Sequence, residues 1–329
     1  MRTRRLGRTG LEVSELGMGG LFVASFATAL DEAKAAVRRA LERGVNYVDT
    51  APSYGNSEEV LGMALEGIPP SSYILSTKLG GRPQPFDPKN KDALRASFEE
   101  SLRLLKRDHI DILMIHEPDR PGQYNWWTDY DHFYGPVTDL LEEFKSEGLI
   151  RYTGLGGTTA YEIVPIINTG AYDVVLTAFN YSLLWREALI DVIPAAKQQN
   201  MGIIVGSPLQ QGALARRYDD EVNHSARWLS SPRRAQYKAL YAYLDEINIP
   251  LPELGLRMIL SNPDVSTVLM GARSVAEVEQ NVRAVEAGPL PQEILDRLQE
   301  IADRVPFRPF EEPFGLPFNR PYKGPGWAA

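Results

Sequence analysis

The chain of 329 residues has no cysteine, which excludes disulfides, thiolate nucleophiles and thiolate metal sites together. Its only histidines are His109, His116, His132 and His224, and they form neither a His-x-His nor a His-Glu-x-x-His pattern. Barrel hydrolases that use a divalent ion gather several histidines around it, so no metal is expected here. No apolar run reaches 18 residues, and the basic start Met1-Arg-Thr-Arg-Arg-Leu-Gly7 is followed by no apolar stretch. These absences predict a soluble cytoplasmic protein with no membrane partner. The formal charge of -8 comes from interspersed acids and bases with no basic block, which argues against a nucleic-acid surface. A Gly-x-Gly-x-x-Gly after the first strand is also missing, so a Rossmann-type dinucleotide site fails on its own terms. Small molecules are the partners left, and a homo-oligomer is compatible with everything above.

What the sequence does contain is a regular alternation. With 43% hydrophobic residues it can bury a large core, as one barrel with extensions or as two ordinary domains. Strand-like runs fall at Leu16 to Gly19, Tyr47 to Asp49, Tyr73 to Lys78, Ile110 to His116, Tyr152 to Leu155, Val174 to Phe179, Met201 to Val205 and Val265 to Met270. Helical periodicity fills the gaps. Asp31 to Arg43 spaces Ala33, Ala36, Val37, Ala40 and Leu41 at helical intervals before Gly44, and Asp92 to Leu105 does the same with Leu94, Phe98, Leu102 and Leu105. Further helices are expected at Ser57 to Leu65, Val137 to Glu147, Ala160 to Asn168, Ala188 to Gln199 and Tyr237 to Leu260. Eight such βα units predict an α/β chain folded as a (β/α)8 TIM barrel, a single domain over residues 1–329. Three parts stand outside the count. Thr3 to Val13 reads as a hairpin under the barrel floor, and 120–134 is a long aromatic loop after the fourth strand, placed to wall a substrate pocket with Trp126 and Trp127. The stretch 305–329 carries a proline every few residues among aromatics, so an extended C-terminal arm is expected.

Three consecutive strands end on ionisable side chains: Asp49, Lys78 and His116, with Tyr54 five residues past the first. In a parallel barrel these strand ends converge on the rim that carries the active site. A tyrosine hydroxyl is a weak acid, and an adjacent ammonium makes its phenolate easier to form, a part that Lys78 can play for Tyr54. A carboxylate beside the lysine, Asp49, keeps it charged and fixed. His116 can hydrogen-bond a reacting oxygen, so the four together would make a proton relay beside a carbonyl or alcohol.

Asp49-Thr-Ala-x-x-Tyr54-Gly with Ser57-Glu58, the Ser-Thr-Lys78 strand end and the strand ending in His116 resemble the aldo-keto reductases, over a span from Leu16 to Asn281. The resemblance implies a barrel with a nicotinamide cofactor on its rim, Tyr54 as proton donor to the carbonyl, Lys78 and Asp49 as its tuning pair, and His116 positioning the substrate. It implies substrate contacts from Phe22, Tyr54, His116, Trp126 and Trp127. Cofactor contacts would come from Gly20, Asp49, Gly156 and Gly157, from Ser207, Leu209, Gln211, Gly212 and Leu214 after the seventh strand, and from Gly271, Arg273, Ser274, Glu277, Gln280 and Asn281 after the eighth. Arg273 and Ser274 at a helix N-terminus suit an adenosine 2′-phosphate, which favours NADP(H), while Glu277 nearby would repel that phosphate and keeps NAD(H) open. Compared with many members, Gly206 replaces a tyrosine that stacks on the nicotinamide, and Gly156-Gly157 replaces a Ser-Asn pair that holds its carboxamide. His116-Glu-Pro-Asp119, Asp173 to Tyr181 and Gly271-Ala-Arg-Ser-Val-Ala-Glu-Val look most like the branch of sugar and pyridoxal dehydrogenases. That branch implies oxidation of a lactol to a lactone. Reduction of a sugar aldehyde or other aldehyde by NADPH is the enzymatic alternative, and a non-catalytic, cofactor-sensing accessory subunit is the alternative of another class.

Overall fold

The computed structural model describes residues 1–308. Thr3–Arg5 (β1) and Glu12–Ser14 (β2) form an antiparallel hairpin with Arg4 opposite Val13. Eight parallel strands then close into a barrel: Leu16–Gly19 (β3), Tyr47–Asp49 (β4), Ile74–Leu79 (β5), Ile110–His116 (β6), Ile150–Gly157 (β7), Val174–Ala178 (β8), Gly202–Gly206 (β9) and Thr267–Met270 (β10), with β10 pairing both β3 and β9. This is the expected (β/α)8 barrel. Every residue of β6 is buried, which explains its unbroken apolar run: one face meets the barrel interior and the other the helix layer.

The helices are Leu30–Glu42 (α1), Ser57–Ala64 (α2), Lys91–Leu105 (α3), Pro136–Ser146 (α4), Ala160–Ile167 (α5), Val192–Gln198 (α6), Ser231–Ile247 (α7), Leu251–Leu260 (α8), Val275–Glu286 (α9) and Gln292–Ala302 (α10). Their apolar stripes face the strands, as in α1, which buries Ala33, Ala36, Val37 and Ala40. Asn90 starts α3 by accepting the Ala93 amide, and Lys106 ends it in the left-handed region. Two boundaries differ from expectation. The run Tyr237 to Leu260 is two helices, because Asn248 turns left-handed at φ 52° and Pro250 removes an amide and restricts Ile249. Ala188 to Gln199 divides into a 3-10 turn, Glu187–Leu189, and α6. Of the arm expected over 305–329, residues 309–329 lie outside the described residues. Among the described residues no helix is long and apolar enough to cross a membrane.

The hairpin closes the floor, as expected from Thr3 to Val13. A Cβ on Gly7 would stand 2.2 Å from the Gly202 nitrogen, so only glycine lets the turn reach β9. Tyr152 donates to the Thr9 carbonyl at 2.8 Å. Arg4 is the main tie: its guanidinium donates to the carbonyls of Leu260, Asn262 and Val265 at 2.6 to 2.8 Å and pairs with the buried Glu15. Sealing that end leaves only the opposite rim open. Arg4→Ala strands these acceptors, so we expect a loss of about 2 kcal/mol and a melting temperature several degrees lower. A thermal scan showing no shift would refute the tie.

Candidate active site

Register brings the four rim residues together. Asp49 pairs with Ser76 across β4 and β5, and Lys78 lies beside Met114 of β6, two residues short of His116. Asp49 and Lys78 are both buried, and Lys78 Nζ donates to Asp49 Oδ2 and to the Thr50 carbonyl, each at 2.7 Å. Ser76 Oγ donates to Asp49 Oδ1 at 2.7 Å, and the Tyr47 hydroxyl donates to Ser76 Oγ at 3.0 Å. Tyr54 sits in the turn between β4 and α2, held by Tyr54 N to Ala51 O and Ser57 N to Tyr54 O. Its ring centroid is 5.0 Å from Lys78 Nζ and 5.8 Å from the His116 ring, which it meets edge-on.

Burial penalises the charged forms, and the charges at hand only partly offset it. For Lys78, burial works against the ammonium and is the largest single effect, but Asp49 and Tyr54 together outweigh it and the pKa rises above the ordinary lysine value. Tyr54 departs from expectation: burial pushes its pKa up, and Lys78 pulls it down without reversing the shift. The hydroxyl is therefore held as a neutral phenol. Burial, then the charges of Lys78 and Arg120, push His116 down to about 3, so its ring is neutral. A neutral imidazole beside a neutral phenol places two donors around one acceptor oxygen, over a cation that stabilises any negative charge left there.

The loop 120–134 is arranged differently from expectation. Trp126 and Trp127 are buried and back the wall instead of lining it: Trp126 Nε1 donates to the His116 carbonyl at 2.9 Å, and Trp127 Nε1 to the Pro118 carbonyl at 3.2 Å. Their large rings bury best against the barrel, and the two indole donors satisfy carbonyls left free where β6 ends. The side turned to the site is Tyr124, 6.5 Å from the His116 ring, with Phe86 stacked edge-on behind it. Ser53, whose Oγ is 3.4 Å from His116 Nδ1, is a second neighbour that sequence reasoning missed, although it stands inside the Pro-Ser-Tyr-Gly turn. Phe22 lies over Gly271, where a Cβ would come within 2.6 Å of its ring.

The expected cofactor segments fall on the same rim. Ser207, Gln210 and Gln211 share a left-handed φ of 51°, and Gly212 stands at φ 102° with nothing within 4 Å of where its Cβ would be. A backbone coiled this way suits a phosphate approached by main-chain amides, so the segment fits a dinucleotide. Leu214 is fully buried, which limits it to main-chain contact. A Cβ on Gly20 would meet Asp49 O and Ser57 Oγ at 2.7 Å, so this glycine locks β3 to the Tyr54 turn. A Cβ on Gly156 would stand 3.4 Å from Lys78 Cε, an ordinary contact, whereas one on Gly157 would come within 2.7 Å of the Asp119 carboxylate. Ser274 caps α9, accepting the Glu277 amide at 3.3 Å, Gln280 is exposed, and Asn281 reaches Met270 Sδ at 3.8 Å. Arg273 is already engaged: Glu277 takes its Nη2 at 2.6 Å and its backbone amide at 2.8 Å.

With this geometry in hand, comparison places the chain among known proteins. The sequence profile of the aldo/keto reductase family matches residues 15–303. The L-galactose dehydrogenase of Arabidopsis thaliana is 33% identical over 317 residues, 92% of this chain and 94% of that protein. The D-threo-aldose 1-dehydrogenase of a Pseudomonas species is 28% identical over 303 residues, 83% of this chain and 89% of that one. The solved holo structure of an aldo-keto reductase from Bacillus halodurans superposes with a TM-score of 0.76 at 30% identity, covering 94% of this chain and 98% of that one.

His116 also predicts a pH effect. Its pKa of about 3 when folded lies below the ordinary 6.5, so the unfolded state binds the extra proton first. Stability from this group is complete above pH 6.5 and is lost as pH falls towards 3. Denaturant titrations across that range should show a smaller drop in His116→Gln than in the natural protein. Parallel curves would contradict a buried neutral imidazole.

Proposed function

The chain belongs to the aldo/keto reductase family, and from that premise we propose that it interconverts a lactol and a lactone, or the related alcohol and carbonyl, of a small sugar. It is an NAD(P)-dependent oxidoreductase. The observation that carries the reading is the buried Asp49 and Lys78 pair beneath Tyr54, with neutral His116 at its side. The names of the two sugar dehydrogenases among its relatives support a sugar. When bound, the nicotinamide cofactor supplies or accepts a hydride at its C4 carbon.

The protein's own groups handle the proton. In the reducing direction Tyr54 gives its hydroxyl proton to the carbonyl oxygen, and the phenolate left behind faces the Lys78 ammonium, which Asp49 holds in place. In the oxidising direction Tyr54 must first lose its own proton to solvent, and the resulting phenolate, stabilised by the Lys78 ammonium, takes the proton of the substrate hydroxyl. Neutral His116 donates to the same oxygen and orients it, with Ser53 beside its Nδ1. Asp49 acts through Lys78 and touches no reacting atom.

The cofactor segments support a finer choice. A 2′-phosphate would need Arg273 free, yet Glu277 holds both its side chain and its amide, and a carboxylate beside that arginine would repel a phosphate. That pairing moves the preference expected from Arg273 alone, NADP(H), to NAD(H). Glu277→Gln should tighten NADPH relative to NADH by about tenfold, or about 1.4 kcal/mol, in fluorescence titrations of the purified protein. An unchanged ratio would remove Glu277 from the choice.

The function is tested with a panel of aldoses and simple aldehydes, in both directions and with both cofactors, followed at the nicotinamide absorbance. Sugar oxidation should dominate. Tyr54→Phe should lose at least about 100-fold in kcat while its cofactor dissociation constant stays within twofold. Retained turnover in that variant would exclude Tyr54 as the proton-transfer group.

A further inference from the structure

One carboxylate at the site has no part in the proton relay. Glu117 follows His116 directly, and its backbone stands at φ 51°, a conformation costly for a residue with a Cβ. Its amide donates to the Gly156 carbonyl at 2.7 Å, carrying the ladder between β6 and β7 one residue past the end of β6. The left-handed turn fixes where the carboxylate goes. Glu117 Oε2 accepts the Thr158 hydroxyl at 2.7 Å and lies 3.6 Å from Arg120 Nη1. Thr158 is itself fixed, because Asp119 Oδ2 accepts its amide at 2.8 Å and the Thr159 amide beside it. The other oxygen, Oε1, has no donor among the described residues, and the side chain remains 12% exposed.

Glu117 stands one residue from His116, and its backbone partner Gly156 lies beside the Lys78 stem, where a Cβ on that glycine would be 3.4 Å from Lys78 Cε. Burial raises the Glu117 pKa, and the Thr158 hydrogen bond, then Arg120 and least of all Lys78, pull it back, while the Glu117 charge works to raise the pKa of Tyr54. The carboxylate is thus within electrostatic reach of both relay groups. Gly156, beside it, has no side chain, so the space above the Lys78 stem stays clear. Tyr124 and Phe86 give the neighbouring wall an aromatic surface. The pocket therefore combines aromatic rings with a fixed carboxylate edge. A carboxylate only accepts hydrogen bonds, and two adjacent hydroxyls on one ring supply two donors at a matching spacing.

We propose that Glu117, braced by Thr158, reads substrate hydroxyls: it accepts from hydroxyl groups next to the reacting carbon and selects polyhydroxylated substrates over apolar aldehydes. The assignment rests on the sugar reading and narrows it to a residue. It also explains why a strained backbone is kept at this position, since a relaxed turn would carry the carboxylate away from the Thr158 hydroxyl. An apolar aldehyde in the same pocket leaves Oε1 desolvated and without a donor, which discriminates against it.

The test is Glu117→Gln, which keeps size and an oxygen for Thr158 but puts an amide donor and a neutral charge at the edge. For the natural protein and the variant, kcat and KM are measured for a cyclic aldose and for an apolar aromatic aldehyde, and the aldose dissociation constant is measured by calorimetry on the cofactor-loaded protein. The ratio of kcat/KM, aldose over aldehyde, should fall by at least about tenfold, mostly through KM, with weaker aldose binding of similar size. Glu117→Asp, which restores the charge on a shorter stem, should recover part of the ratio. Equal losses on both substrates would mean that Glu117 only holds the loop, and would overturn the assignment while leaving the sugar reading intact. If the natural protein turns over aldehydes but no aldose, both fall.

Discussion

Everything at the rim depends on one buried ion pair, Lys78 with Asp49 at 2.7 Å. Two charges taken out of water lose several kcal/mol of hydration each, and their attraction roughly returns it, so the pair adds little net stability. Its constraint is stronger than its energy. Removing either partner would leave a buried charge alone, at about 3–5 kcal/mol, so the barrel holds both in one arrangement. Ser76, Tyr47 and the Thr50 carbonyl supply the remaining hydrogen bonds, which ties the pair to the register of β4 and β5. A slip of one residue would turn Lys78 outward, because strand side chains alternate.

The pair lets neighbouring groups stay neutral without being inert. Tyr54 and His116 lie in a region where burial opposes any new charge, and both remain in their uncharged forms. Proton transfer from Tyr54 creates an anion, and that anion forms against a cation, Lys78, that does not have to move. A free lysine on a flexible stem would have to be ordered at each turnover. Here the ordering is done when the chain folds, which is the sense in which the site is preorganised.

The β-branched and apolar runs, interrupted by helical periodicity, made the barrel and its eight strands legible, and the ionisable strand ends marked the rim. Those signals are local, and parallel pairing turns them into a site almost mechanically. Less legible was anything set by competition between long-range terms. The fate of Trp126 and Trp127 depended on whether aromatic area would cover the barrel or face a pocket, and the free carbonyls of His116 and Pro118 decided it. The direction of the Tyr54 shift depended on weighing burial against Lys78, which spacing does not measure. Arg273 and Glu277 both stand out in the sequence beside the expected phosphate, but that they pair with each other is a contact which spacing alone does not give. The break at Asn248 lay within reach of the sequence, since Pro250 stood there to mark it.

Left-handed backbone is frequent on the open rim. Among the described residues, five of the nine non-glycine positions with positive φ are Glu117, Phe179, Ser207, Gln210 and Gln211, all just beyond the ends of β6, β8 and β9 on the open rim. Such conformations cost about 1–3 kcal/mol at the most strained, and persist only where the surroundings hold them. The surroundings here are rigid: a floor closed by Arg4 and Arg8, and an ion pair that fixes the register. Strained turns aim backbone and carboxylate groups that relaxed loops would leave disordered in direction. The closed end of the barrel thus holds the open end in place, and the open end is where the cofactor segments, Glu117 and the relay converge.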